Sequence, residues 1–333
     1  MTRKIDISTS TLFRFVIIVL GLIFLYLVSD VLILLFFSVI IAAGVNGPIS
    51  WIQKRGVNRV LAVAFVYVAI LSVFVGVVYL IIPPLAVQIK TLALGLPEIL
   101  NKFGFSQGSL QQYHSVYFSN FVDGLNSKLS GAASNIFQTT FTFFGGLFSA
   151  IMVLVISLYL AAQEKGTRKF LFSVTPAAHR EYVDSLVSRI ETKLGAWLRG
   201  ELLLMFSIAA FTFIGLVLLK VKYALILALL AGLLEVVPFI GPIISAVPAI
   251  ALAFLQAPLL ALFVTILYYA IHQLENYILV PQIMKKALGL NPIVVIVALL
   301  IGAKLDGVLG MLVAVPVAAT LGVFFGDLFR DKE

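Results

Sequence analysis

The sequence predicts an all-α integral membrane protein, a polytopic helical bundle with two broken or re-entrant helical hairpins in its C-terminal half. Three observations carry that reading. Hydrophobic residues make up 62% of the 333 positions and charged residues 11%, a balance that soluble domains do not show. Apolar runs long enough to cross a bilayer alternate with short basic segments, as the positive-inside rule expects. Two later apolar segments are broken near their middles, and each would be roughly 50 Å long as a single helix against a hydrocarbon core of about 30 Å.

The composition also excludes function classes. A net charge of +8 would suggest nucleic acid in a soluble protein, but here the basic residues sit between apolar runs and report topology. Nucleic acid is therefore not an expected partner. There are no cysteines, so disulfides, thiolate nucleophiles and cysteine metal sites are ruled out. No metal site or cofactor is expected. The chain has no P-loop, which makes an ion gradient and not ATP the default energy source. It lacks an H-E-x-x-H, paired intramembrane aspartates, and a G-x-S-x-G with a suitable His, so no residue is nominated for enzymatic chemistry.

Residues 1–82 read as an N-terminal three-span membrane region. Arg3, Lys4 and Arg14 precede and open the first run, Leu12 to Val28, which places the N-terminus in the cytoplasm. That run is too long for a signal-peptide core and lacks a small-residue cleavage site, so it is a retained span. Ser29 and Asp30 make a very short turn, and Val31 to Val45 returns inward to the breaker cluster Asn46, Gly47 and Pro48. Trp51, Lys54, Arg55 and Arg59 mark a cytoplasmic loop, after which Val60 to Ile82 crosses outward.

Residues 83–140 read as an exported amphipathic helical module whose charges, Lys90, Glu98, Lys102, Asp123 and Lys128, nearly cancel. It is either a cap over a pathway or a set of helices at the outer interface. Residues 141–162 form a fourth span, and 163–200 a cytoplasmic amphipathic helix region. There Tyr182, Leu186, Ile190, Leu194 and Trp197 share one helical face. Residues 201–326 form a transport core and 327–333 a cytoplasmic tail. Within the core a span from Leu202 to Leu219 is followed by the first broken segment, then by the full span Pro258 to Val280, and then by the second broken segment.

The first break lies in LEVVPFIGPIISAVPA, Leu234 to Ala249. Pro238 and Pro242 each lack an amide donor and Gly241 permits unusual backbone angles, so the stretch reads as a turn between two half-helices with Glu235 near its tip. Such a turn survives at membrane depth only if protein buries it or it lines a polar cavity. The second break, within Pro292 to Gly326, falls at Gly302, Lys304, Asp306, Gly307 and Gly310. Two spans each followed by a broken hairpin suggest an inverted repeat whose half-helix ends form a substrate site.

Four motifs carry a resemblance. LRGELLL at Leu198 to Leu204, LEVVPFIGPIISAVPA, HQLENYILVPQIMKKALGLNPIVV at His272 to Val295, and GVLGMLVAVPVAA at Gly307 to Ala319 together resemble the autoinducer-2 exporter family of bacterial and archaeal permeases. The resemblance implies a multi-pass plasma-membrane permease with both termini in the cytoplasm, homo-oligomeric, with a pentamer as one such assembly. It implies export of a small polar solute such as an autoinducer-2-like signal or, in some branches, sodium or lithium exchange for protons. Lipid, such a solute, a monovalent cation and protons are thus the expected partners. Two departures stand out: Glu201 where Gln is frequent in the family, and Asp306 where an apolar residue is common.

Ionisable groups in spans are costly, about 2.5 to 3.5 kcal/mol on insertion scales. Glu235 reads either as a proton or cation site, or as a group that only caps the broken backbone or pairs with a cation such as Lys304. His272, Glu275 and Asn276, spaced i, i+3, i+4 with Tyr268 one turn earlier, form one polar stripe facing the bundle interior. The stripe suits a proton relay or a solute contact, or a turn at Pro281. Lys304 and Asp306 are either an ion pair that opens during transport or a solvated loop. Pro238, Gly241, Pro242, Pro281, Gly307, Gly310 and Pro316 are the expected breaks and hinges. Arg199 and Glu201 read as interfacial, with Glu201 at a helix N-terminus and Arg199 near headgroups. A scaffold that recruits envelope partners through the exported module is the third reading.

Overall fold

The computed structural model describes residues 9–77, 79–80, 136–163, 168–169, 172–173, 175–238, 240–287 and 289–330. These form helices and no strands, and five of the helices are long and apolar enough to cross a membrane. Most of residues 83–140, the segment expected to form an exported module, lies outside the described residues.

Helices α1 (Thr9–Leu27) and α2 (Ser29–Gln53) are separated by Val28 alone. Val28 has near-helical angles, φ −102° and ψ 10°, and the Leu32 amide donates to its carbonyl across the junction. The reversal expected at Ser29 and Asp30 is therefore a bend. Nor does α2 stop at Asn46, Gly47 and Pro48; it runs through them to Gln53. Pro48, itself exposed, removes one hydrogen bond, and the helix continues past it through the fully buried Ile49. Asn58 begins α3 (Arg59–Val77) by accepting from the Leu61 amide at 2.8 Å. The Arg59 guanidinium donates twice to the Ala161 carbonyl, at 2.9 and 2.7 Å. It thereby caps the C-terminus of α4 (Ile136–Ala162). Ile49, Ala62, Val63 and Tyr67 fill the core among α2, α3 and α4.

The central element is α5, Arg180–Leu218, 39 residues without interruption. At about 1.5 Å per residue it is roughly 58 Å long. Its first half is amphipathic and its second half apolar, and the helix passes through residues 199–201, where a separate helix start was expected. Gly195 lets α5 cross α2 closely, since a Cβ there would lie 2.7 Å from the Ala43 carbonyl oxygen. The helix ends in a Schellman-type cap. Lys220 adopts φ 56°, and the Val221 amide reaches back to the Leu216 carbonyl at 2.9 Å.

Two hairpins pack on opposite parts of this rod. The first is α6 (Ala224–Leu234) and α7 (Ile240–Gln256), of 11 and 17 residues, about 16 and 25 Å long and so shorter than a bilayer core of about 30 Å. Its two ends meet where the Lys222 amide donates to Gln256 Oε1 at 3.3 Å. Along α5 it reaches Met205, whose carbonyl would lie 2.6 Å from a Cβ on Gly232. Helix α8 (Pro258–Leu274) continues through one π-helical turn, Glu275–Leu279, into α9 (Val280–Ala287). Leu227, Ala249, Ala253 and Val264 form the core joining α5 to these elements.

The second hairpin is α10, Pro292–Arg330, whose legs are divided at Asp306 (φ −147°, ψ 33°) and Gly307 (φ 55°, ψ −130°). The angles at Gly307 belong to a region that side chains disfavour. Gly302 and Gly310 bring the legs together backbone to backbone, because a Cβ on either would fall on the other's carbonyl oxygen. Leu299, Ala314 and Ala319 pack on Ile40 of α2 and on Leu194 and Trp197 of α5. The second leg is tied to α5 by Arg189, which donates to Asp327 Oδ1 at 2.7 Å and also to its other oxygen. The first hairpin thus starts and ends beside the Leu218 end of α5, and the second leaves the bundle beside its polar half.

Candidate transport site

Glu235 follows the last residue of α6 with φ −56° and ψ −25°, its amide bonded to the Ala231 carbonyl at 3.1 Å. Pro238 then prevents the helix from continuing. The Gly241 amide donates to the Val237 carbonyl at 2.9 Å, and Pro242 occupies the first turn of α7, where no amide donor is needed. A side chain on Gly241 would overlap the Leu234 carbonyl, so the chain reverses directly against the end of α6. This folds Glu235 inward, with 3% of its surface exposed.

The polar stripe forms on α8 and the π turn. Asn276 Nδ2 lies 3.0 Å from His272 Nε2, and His272 Nδ1 lies 3.3 Å from Glu275 Oε2. An amide nitrogen can only donate, so Nε2 accepts, and Nδ1 carries the proton donated to Glu275. Glu275 is the first residue of the π turn and is buried. Pro281 lies four residues beyond Tyr277, and its ring and missing amide are incompatible with a regular turn there. Widening the preceding turn to π accommodates it. Pro281 therefore shapes this helix and does not end it. Tyr268, one turn before His272, is buried with its hydroxyl unpartnered among the described residues.

Glu235 lies within hydrogen-bond reach of Glu275, and both sit in the electrostatic range of Glu201. Glu201 is 4% exposed and lies in the middle of α5. The reading of Glu201 as an interfacial group at a helix N-terminus is corrected on two counts, since no helix starts there and the side chain is buried. Three elements thus deliver three buried carboxyls to one place. Among the described residues no Lys or Arg forms an ion pair with any of them, and Glu235 Oε2 has no hydrogen-bond partner. Nor do three His, Asp or Glu side chains among the described residues group tightly enough to hold a metal ion. The cluster occupies the level of α5 between Trp197, covered by the second hairpin, and Met205, covered by the first.

Other expected residues fall elsewhere. Lys304 and Asp306 are exposed at the tip of the second hairpin, and no ion pair joins them. Gly307 and Gly310 build that tip, whereas Pro316 is fully buried within the second leg and makes no break. Arg199 is exposed and packs beside Gly47 of α2. Glu201 is the residue that sequence reasoning misplaced, because its burial depends on partners about 35 and 75 positions away, at Glu235 and Glu275.

Residues 15–330 match the family model described as AI-2E family transporter. The chain is 25% identical to YueF of Bacillus subtilis (strain 168), over 89% of its own length and 85% of the relative's. It is 26% identical to YrrI of the same organism, over 93% and 90% of the two chains. YhhT of Escherichia coli (strain K12) is also 26% identical, over 89% and 84%. All three carry the name of transport proteins. A match over nearly the whole chain joins the bundle, the broken hairpins and the buried carboxyls to one assignment: the protein belongs to the AI-2E transporter family and is a multi-pass membrane transporter.

Proposed function

We infer that this transporter is a plasma-membrane permease that exports a small polar solute at the expense of an ion gradient. The observation that carries the reading is the Glu201, Glu235 and Glu275 cluster, buried, without Lys or Arg partners, and set between two broken hairpins. Two close carboxyls share a hydrogen bond only with a proton between them, and a proton held in this way can be exchanged. In this reading both hairpins are re-entrant, entering from opposite faces. The basic residues Lys54 and Arg55, together with the polar half of α5, lie on the cytoplasmic side. The family description supports an autoinducer-2-like furanone as the first solute to test.

The decisive experiment is flux from proteoliposomes under imposed proton or sodium gradients, with the furanone signal as cargo. Gradient-dependent flux that Glu235→Gln abolishes, in a protein of unchanged melting behaviour, is the expected result. Equal flux with no gradient sinks the coupling. A second reading, sodium or lithium exchange for protons, rests on the same carboxyls. Cation flux that moves protons in the opposite direction with no solute present would favour it.

A further inference from the structure

We propose that the three-carboxyl cluster is a recognition site for a small organic ammonium ion, a protonated primary amine. The proposal rests on the transporter reading and names the class of solute the site takes. Its first support is charge. Glu201, Glu235 and Glu275 come from α5, the end of α6 and the π turn, and no Lys or Arg among the described residues neutralises them. The other titratable or polar groups on the same helix face are His272, which donates to Glu275, Asn276, which donates to His272, and Tyr268. A solute that brings its own positive charge compensates the site. An anion is repelled once the carboxyls have given up their protons.

The second support is an open valence. Glu235 Oε2 is buried without a donor, in a residue 3% exposed that borders Glu275 and Glu201. A primary ammonium has three N–H donors diverging from one compact charge, a number that matches three carboxyls carried by three separate elements. Proton and ammonium then compete for the same oxygens, and exchanging one for the other moves no net charge.

Calorimetric titration of the full-length protein in detergent tests this with n-butylammonium, tetramethylammonium, n-butanol, butyrate and sodium chloride. n-Butylammonium should bind at pH 8, and its affinity should fall about tenfold per pH unit once a single proton competes. Tetramethylammonium, which has charge but no N–H, should bind at least about tenfold more weakly, as should n-butylammonium to Glu235→Gln. Equal binding of tetramethylammonium, n-butanol or sodium overturns the proposal. If Glu235→Gln fails to fold, the ligand series on the unaltered protein decides. Selective ammonium binding without gradient-driven flux keeps the site and removes the coupled-transport reading. Gradient-driven flux of other solutes with no ammonium preference does the opposite.

Discussion

Glu201 shows how a single side chain changes the account of the site. Its neighbours in sequence, Arg199 on one side and Leu202 to Leu204 on the other, look like the edge of a span. Its neighbours in space are Glu275 and Glu235. Glu201→Gln, which keeps size and removes the charge, should shift the pH profile of flux while leaving the fold intact; an unchanged profile would show that Glu201 is only packed there. Gly241→Ala should destabilise by about 1 to 3 kcal/mol, because the new methyl meets the Leu234 carbonyl. Lys220→Gly should do the reverse, raising stability by about 1 kcal/mol by relieving a left-handed φ of 56°. Both are checked by thermal unfolding in detergent. The i, i+3, i+4 spacing of His272, Glu275 and Asn276 was legible because helical periodicity is local. The burial of Glu201 was not, because it depends on chain returning from distant segments.

At the scale of elements, Pro and Gly forecast both hairpin breaks but also suggested breaks that do not form. Where a proline sits in a packed helix, as the fully buried Pro316 does within α10, the loss of one hydrogen bond is offset by the surrounding contacts, and the exposed Pro48 costs α2 one hydrogen bond without ending it. Where Gly307 supplies angles no other residue adopts readily, the chain turns. Pro281 lies between these cases, since the helix survives by widening into the π turn that begins with Glu275. Pro281→Ala restores an amide donor and should let this turn relax to regular α-helix, rotating Glu275 relative to His272. The expected outcome is loss of ion coupling with little loss of stability, measured as flux with and without a gradient. Retained coupling would show that the π turn is incidental to the site.

Across the whole molecule, the Arg189 and Asp327 contact ties the second hairpin to α5. Hydrogen bonding to Asp327 holds the Arg189 guanidinium above its ordinary value. A group raised in the folded state contributes fully below its unfolded pKa and loses that contribution only as pH rises through the folded one, which for an arginine lies far on the alkaline side. On the arginine side the contact is therefore constant near neutrality, and salt is the variable that tests it. Arg189→Ala should speed amide hydrogen exchange in residues 318–330, and 1 M salt should have a similar effect on the unaltered protein, to the extent that screening reaches about 3 Å. Exchange unaffected by both would mean that apolar packing alone holds the hairpin.

Because α5 has no joint between its polar half and Glu201, it is also a measuring rod. Tyr182 is exposed near one end, about 28 Å along the axis from Glu201. A tilt of the helix by about 10° would carry a spin label at position 182 through roughly 5 Å. The molecule thus contains its own pointer, and distances read from a label at this exposed position report rearrangements at the carboxyls without a probe ever touching them.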